Sequence, residues 1–264
     1  MAGLRWTAVP MRPDRCQLAL RPRDPLESID LSLAVIRLTR EPLGRLAVCT
    51  IAPLWVLGSV ALWLTDGHLA VALLPVLAAP VIQAPVTVLL GQSLFEGDVT
   101  LRHTARRVGA SAWRLGMVWL AVALGLVGSG LTAFTLWPMC AVALMYVTEA
   151  VLLEQVSLGR ALRRSTRLAS RSISHAVVGN LLRYGLFLWL WAGSEQLGDF
   201  VLITVLQLGA WLPADWSLSP FGLLGMLVSQ FAWSVIRLLL YIDVRTRTEG
   251  WDLQVGLLGA AGDA

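Results

Sequence analysis

Three polar side chains, Gln83, Glu149 and Gln230, interrupt long apolar segments of this sequence. An ionisable or amide group inside a membrane-spanning segment marks a functional site by default, because leaving it unpaired in hydrocarbon is costly. Glu149 is the best candidate, since Tyr146 and Thr148 lie beside it. The three residues form a candidate intramembrane polar site, which could line a transport or lipid-handling path. The simpler interpretation of Glu149 is an ion pair with an arginine of the basic segment that follows.

A second group of ionisable residues comprises a basic segment and a charged C-terminal segment. The basic segment places arginines three or four residues apart, which predicts one stripe on a helix. The C-terminal segment alternates in sign, so we expect it to pair with this stripe or with the first amphipathic helix. Together they form a candidate docking or anionic-lipid face, although arginines that only fix the topology explain the stripe more simply. The residues are Arg160, Arg163, Arg164, Arg167, Arg171, Asp243, Arg245, Arg247 and Glu249.

No pattern of catalytic or metal-ligating residues stands out. Cys16, Cys49 and Cys140 have no CxxC spacing, and the three histidines are far apart. A zinc site or a disulfide framework is therefore not expected. We also find no Ser/His, paired-Asp or His-Glu-x-x-His arrangement. The sequence predicts a protein that is not an enzyme, with no cofactor and no nucleic-acid partner.

The composition is that of a membrane protein. Of the 264 residues, 56% are hydrophobic and 14% are charged, and the mean hydropathy is +0.69. Soluble domains carry roughly 25% charged residues, so the surplus apolar surface is expected to face lipid. We predict an all-α polytopic fold with six transmembrane helices. The expected spans are Leu46–Leu64, Leu69–Leu94, Trp113–Phe134, Trp137–Leu153, Ala176–Ala192 and Phe221–Tyr241.

The basic residues predict the orientation of these spans. The chain has no lysine, and its 21 basic residues are all arginines. Eighteen of them precede the first span, occupy alternate connections or follow the last span, and Arg114, Arg183 and Arg237 lie just inside spans on that same side. The intervening turns have none. Because positive residues are retained in the cytoplasm, both termini are predicted to be cytoplasmic. The expected location is the bacterial inner membrane, as a multi-pass protein with membrane lipids as partners.

Flanking segments complete the predicted organisation. Residues 1–23 are expected to be a flexible cytoplasmic N-terminus, residues 24–252 a single transmembrane domain and residues 253–264 a flexible tail. An amphipathic helix is predicted over residues 25–41. Asp24 is expected to cap it, and the carboxylate of Glu27 to reach back to the start of this helix. Pro42 is expected to end it. Caps by Thr100 and Ser157 are predicted for the two later basic helices.

Several residues within the spans suggest departures from regular helices. Pro75, Pro80 and Pro85 should kink or locally unwind the second span. The stretch Phe200–Leu212 is too short to span alone, so it extends the fifth helix or forms a re-entrant segment. Arg183 and Arg237 can extend their side chains to the inner interface.

Three stretches resemble a known bacterial family. They are the run VLLEQVS at 151–157 with RALRRS at 160–165, the ending LYIDVRTRTEGWDL at 240–253, and the opening PLESID at 25–30 through Arg37. They are similar to proteins with the glycerophosphodiester phosphodiesterase membrane-domain pattern. The resemblance implies a six-helix membrane module. The phosphodiesterases of that family carry a separate catalytic domain with a metal-ligand cluster of His-Arg-Gly and Glu-x-Asp, and we find no His-Arg-Gly in this sequence, so that activity is not expected.

The functional expectation follows from these observations. A stand-alone module of this kind is expected to be a non-enzymatic scaffold or an accessory subunit of an envelope assembly, with other envelope membrane proteins as partners. The alternative is a transporter or lipid-handling protein, with the second span and Glu149 lining a cavity. A continuous polar cavity that reaches Glu149, Gln83 or Gln230 would favour the alternative, and a centre filled with leucine would exclude it.

Overall fold

The computed structural model describes residues 24–64, 74–95, 100–131, 137–207 and 218–250. Every regular element in these ranges is helical, in agreement with the predicted all-α class. Helix α9 continues into a π-helical segment, Phe200–Val205. The helices are α1 Pro25–Leu38, α2 Arg40–Leu64, α3 Leu74–Phe95, α4 Leu101–Ala110, α5 Ala112–Leu131, α6 Trp137–Leu144, α7 Val147–Leu153, α8 Leu158–Arg171, α9 Ile173–Asp199 and α10 Pro220–Glu249.

Three of the described helices are long and apolar enough to cross a membrane. They are α2, α10 and the part of α3 from Leu77 to Phe95. Helix α2 leaves most of its apolar surface uncovered: Leu57 is 65% exposed and Trp63 is 71% exposed. Large contiguous apolar surfaces of this kind mark contact with a membrane or another protein. The structure is thus compatible with a membrane protein.

Helix α10 forms the axis of the bundle. Buried residues of α10 occur along most of its length, from Gly222 to Thr246. One core cluster joins Leu43 of α2 and Leu94 of α3 to Ile242 of α10, near the C-terminal end of α10. A second cluster joins α2 and α3 to the N-terminal part of α10. Helix α3 therefore runs parallel to α10, and α2 runs antiparallel to it.

Contacts of α5, α7 and α9 show which of their ends lie beside the C-terminal end of α10. His175 of α9 lies beside Asp243 of α10, and Arg114 of α5 donates a hydrogen bond to the carbonyl of Gln155, just after α7. Helices α2, α5 and α9 therefore begin, and α3, α7 and α10 end, on one side. We call this side the arginine-rich end of the bundle.

Close packing of α9 against α10 depends on small residues. A Cβ atom at Gly225 would lie 2.4 Å from the carbonyl oxygen of Leu190 and 2.0 Å from the hydroxyl of Ser194. Backbone cannot move aside as a flexible side chain can, so the contact requires glycine. Small residues that let helix backbones approach are typical of helix packing in membranes.

The fourth predicted span is two helices, not one. Helix α6 ends at Leu144 and α7 begins at Val147, with a turn at Met145 and Tyr146 between them. By contrast, α3 is continuous through Pro80 and Pro85, so the expectation of local unwinding there was wrong. Prolines in a membrane helix are tolerated when neighbouring groups satisfy the freed backbone.

Ser165 of α8 bridges the break between α6 and α7. Its hydroxyl accepts a hydrogen bond from the backbone nitrogen of Tyr146 at 3.1 Å. It also donates one to the carbonyl of Ala143 at 2.6 Å. Both Ser165 and Tyr146 are fully buried, so no solvent would replace these bonds. The break therefore depends on the docking of α8.

Smaller elements differ from their predictions at their ends. Helix α1 ends at Leu38, and Pro42 lies in the first turn of α2 instead of ending α1. Asp24 occupies the cap position of α1 without a side-chain cap hydrogen bond. Thr100 caps α4 as predicted, by accepting from the backbone nitrogen of His103. Ser157 instead accepts from the Arg160 side chain, so its predicted backbone cap was wrong.

The stretch after the fifth span is an extension of that helix as far as it is described. The π-helical segment Phe200–Val205 follows α9 without interruption. The rest of the predicted Phe200–Leu212 stretch, from residue 208, lies outside the described residues, as do Asp252 and the predicted terminal segments 1–23 and 253–264.

Replacing Ser165 tests the bridged break. Ser165→Ala removes both bonds and leaves the nitrogen of Tyr146 buried without a partner side chain, and such an orphaned group costs about 1–3 kcal/mol. We expect a lower midpoint of thermal unfolding for the protein in lipid nanodiscs. The control is Ser170→Ala on the exposed side of the same helix, where the serine bonds only to Arg167. Equal midpoints for the two variants would contradict the bridging role.

Candidate functional site

A buried ion pair joins α7 to α10. The Arg237 Nε donates to the Oε1 of Glu149 at 2.6 Å. The side chain of Glu149 is fully buried, and that of Arg237 is 8% exposed. The sequence favoured an arginine of the basic stripe as the partner of Glu149, and that prediction was wrong. Extension of Arg237 to the interface was also wrong, because the guanidinium lies among α3, α7 and α10.

Two glutamines extend this pair into a network. Arg237 Nη1 donates to the Oε1 of Gln83 at 2.8 Å, and Gln83 Nε2 donates to the Oε1 of Gln230 at 2.8 Å. The three residues predicted as an intramembrane polar site are therefore connected, with Arg237 as the link. We call Gln83, Glu149, Gln230 and Arg237 the central network.

The helices place the central network far from the ends of the bundle. Gln83 is the tenth of the 22 residues of α3, so about 14 Å of helix precede it at 1.5 Å per residue. Glu149 lies in the first turn of α7, where the positive helix terminus favours a carboxylate. The break after α6 creates this terminus. Without the break, Glu149 would lie in the interior of a continuous helix.

A cavity of about 310 Å³ borders the central network. Gln83, Gln230 and Arg237 form part of its wall, whereas Glu149 lies behind Arg237. Most of the remaining wall is apolar. It includes Trp119, Leu144, Phe187 and Trp233. The volume falls at the small end of the range of about 300–1,000 Å³ for ligand sites. The centre of the bundle is therefore not filled by leucine side chains.

Arg183 of α9 also lines the cavity. The side chain is half-buried, and it forms no ion pair within the described part of the chain. The sequence predicted that Arg183 extends to the interface. Instead, it contributes to the wall of the cavity. Asn180, one turn earlier, donates to the carbonyl of Ala176 and packs against Met145 at the break.

A second cluster of ion pairs closes the arginine-rich end. Glu154, just after α7, lies 2.7 Å from Arg164 of α8 and 3.2 Å from Arg245 of α10. Glu249 pairs with the same two arginines, at 2.5 Å and 2.7 Å. The hydroxyl of Tyr241 donates a hydrogen bond to the Oε1 of Glu154. The ion pairs form a closed ring, because each of the two carboxylates contacts both arginines. We call Glu154, Arg164, Arg245 and Glu249 the terminal ring. Pairing of the charged C-terminal segment with the arginine stripe, through Glu249 and Arg164, is thereby confirmed.

The ring holds Arg164 in its charged form. Burial alone would lower the pKa of Arg164, but the neighbouring carboxylates of Glu154 and Glu249 outweigh this and raise the pKa above its usual value. The charge of Arg164 is therefore secured by two partners at contact distance. A single exposed partner would contribute far less.

The other predicted docking residues divide between the interior and the surface. Asp243 is buried, lies 3.7 Å from His175 and pairs with Arg247 of its own helix at 3.0 Å. The segment from Asp243 to Glu249 belongs to α10 and is not a tail beyond it. The remaining arginines of the predicted docking face are exposed: Arg160, Arg163, Arg167 and Arg171.

Two contacts of these networks differ from what the sequence suggested, for different reasons. Arg237 is a candidate polar residue of the sixth predicted span by its sequence, but its side chain was expected at the interface. Its place on α10, seven residues after Gln230, puts it on the same helix face two turns on. Glu154 was assigned only a local role with arginines one or two turns ahead. Its contacts with Tyr241 and Arg245 depend on the docking of α10, which no local pattern reveals.

Nothing in the described residues suggests a metal centre, because no group of three or more His, Cys, Asp or Glu side chains converges there. Comparisons with protein-family models, with curated proteins and with solved structures find no match. The resemblance to the phosphodiesterase membrane-domain family therefore stays a prediction.

Breaking and removing the central ion pair should have different effects. Arg237→Met leaves Glu149 buried without its partner, and loss of one member of a buried pair costs about 3–5 kcal/mol. We expect Arg237→Met combined with Glu149→Gln to be more stable than Arg237→Met alone. Thermal unfolding in nanodiscs measures both.

The exposed pair Glu41–Arg45 supplies the control, with side chains 73% and 68% exposed. Arg45→Met should change the unfolding midpoint little, because exposed pairs contribute about 0–1 kcal/mol. The single variant Glu149→Gln completes the comparison. If the unfolding midpoint of the double variant falls by the sum of the decreases in the two single variants, the pairing is refuted.

Proposed function

We propose that this chain is a bacterial inner-membrane protein that binds a single-chain amphiphile within a bundle of six transmembrane helices, without catalysing a reaction. The observation that carries this proposal is the cavity beside the central network. Its wall is mostly apolar, with polar side chains gathered on α3, α9 and α10. An amphiphile has the same division into an apolar chain and a polar head. The limited volume suits one chain better than a two-chain lipid.

The arrangement of the helices supports the six-span topology. In addition to α2, α3 and α10, we assign spans to α5, to α6 with α7, and to α9. The helix ends that carry arginines meet on one side of the bundle, as alternating spans require. Positive-inside retention makes that side cytoplasmic, so both termini of the transmembrane domain are in the cytoplasm.

A scaffold or accessory subunit of an envelope assembly is the second candidate. The observation in its favour is the row of exposed arginines on α8, which leaves a charged surface for a partner or for anionic headgroups. A scaffold alone gives no reason for a cavity lined by arginine in the centre of the bundle. Amphiphile binding explains the cavity, so we place it first.

Cysteine labelling tests the topology. In a variant whose Cys16, Cys49 and Cys140 are replaced by alanine, single cysteines are introduced as Asp199→Cys or Ser170→Cys. Both positions are exposed, and they lie near opposite ends of the bundle. In intact cells, a membrane-impermeant maleimide should label the cysteine at 199. The cysteine at 170 should react only after the membrane is permeabilised. The reverse pattern, or labelling of both in intact cells, would refute the proposed orientation.

Photo-crosslinking tests the binding. Lysophosphatidylglycerol and lysophosphatidylcholine, each with a diazirine in its acyl chain, are titrated into the protein in neutral-lipid nanodiscs. We expect saturable crosslinking to α3, α6, α9 or α10. Ala141→Phe should reduce it at least fivefold, because Ala141 is a small residue of the cavity wall.

Two variants make this result decisive. Ala79→Phe fills the same cavity from α3 and should act like Ala141→Phe, which guards against a folding defect in either one. Ala52→Phe adds the same ring on the exposed surface of α2 and should bind like the unmodified protein. Crosslinking that both cavity variants leave unchanged would exclude the cavity as the binding site.

A further inference from the structure

We propose, on the basis of the proposed amphiphile binding, that the ligand carries one negatively charged headgroup and that Arg183 is the residue that selects it. The cavity is bordered by two cations, Arg183 and Arg237. Three separate observations support this assignment: the charge balance of the wall, the unpaired donors on it, and the position of Arg183 beside the opening.

The charge balance of the cavity wall leaves one positive charge. Arg237 is neutralised by Glu149 at 2.6 Å. Arg183 has no ion-pair partner among the described residues, and the other cation on the same wall, Arg237, repels it. An uncompensated cation in a region of low dielectric is unfavourable. A ligand with a single negative charge would offset it, whereas a neutral or zwitterionic ligand would leave a net positive charge.

Two further donors on the wall lack acceptors. The indole Nε1 of Trp233 and the Nη2 of Arg237 are buried and form no hydrogen bond within the described residues. Both residues line the cavity together with Arg183. Buried polar atoms are nearly always hydrogen-bonded, and each exception calls for an explanation. The oxygens of a phosphate or carboxylate accept such bonds, and guanidinium donors match their geometry.

The position of Arg183 suits access from the membrane. Its neighbour Tyr184 also lines the cavity and is 37% exposed. The wall is therefore open to the surface of the bundle along α9, where Leu181 and Leu188 are 65% and 55% exposed. A headgroup can reach Arg183 from this side while its chain enters the apolar part of the cavity. Arg237, by contrast, is held by Glu149 and Gln83, and its main role is to position the central network.

Headgroup selectivity tests the assignment. We expect lysophosphatidylglycerol to bind the unmodified protein about tenfold more tightly than lysophosphatidylcholine with the same chain, a ratio that corresponds to about 1.4 kcal/mol. Arg183→Gln should reduce the ratio to within about twofold, by weakening the anionic ligand only. Arg183→Lys should retain a preference, because it keeps the charge.

Two controls separate this site from general attraction. Arg167→Gln removes an exposed arginine of α8 and should leave the preference unchanged. Inorganic phosphate should not displace lysophosphatidylglycerol at equal concentration, because it lacks the chain. Saturable phosphate binding that Ala141→Phe leaves intact would identify a free anion as the ligand and overturn the assignment.

The two proposals can fail separately. If both lysolipids bind with equal affinity, or if Arg183→Gln keeps the preference, the selective role of Arg183 is refuted and amphiphile binding stands. If neither lysolipid binds the unmodified protein, amphiphile binding itself is refuted. Removing an unpaired charge should not lower the unfolding midpoint, so a large loss of stability in Arg183→Gln would show that Arg183 has a structural partner.

Discussion

The ion pair between Glu149 and Arg237 is the interaction on which the centre of the bundle depends. Neither group tolerates burial alone, since an isolated charge in an apolar interior costs several kcal/mol. The 2.6 Å contact fixes α7 against α10, and the bond from Arg237 to Gln83 adds α3. Three helices are thus held in one register by buried polar contacts. Apolar packing alone would allow these helices to slide or rotate.

The break between α6 and α7 serves the same ion pair. A turn at Met145 and Tyr146 places Glu149 at the start of a helix, directed at α10. The backbone groups freed by the turn bond to Ser165, so α8 supports the turn that precedes Glu149. Helix α8 is held in turn by Arg164 in the terminal ring. The central network and the terminal ring are therefore two parts of one framework, linked through α7 and α8.

The sequence predicted the parts of this structure that depend on local chemistry. Apolar runs located the long helices, the spacing of arginines placed α8, and Thr100 marked the start of α4. Polar residues in apolar runs identified Gln83, Glu149 and Gln230. The break after α6 could not be predicted, because it depends on a contact between residues 19 positions apart in the chain. The partner of Glu149 lies 88 positions away, and only the place of Arg237 on the same helix face as Gln230 indicated it. The prolines of α3 do not interrupt that helix, since neighbouring helices decide whether a helix remains continuous.

A framework built from paired charges makes the one unpaired arginine of the cavity informative. In the central network and in the terminal ring, each arginine has a carboxylate partner. Arg183 lies on the mostly apolar wall of the cavity without a described carboxylate partner. An experimental structure in a lipid bilayer is the most direct test. We expect elongated density in the cavity with its headgroup against Arg183, and Arg237 bonded to Glu149. A cavity closed by repacked side chains, with Arg183 or Arg237 turned toward the aqueous interface, would contradict the account.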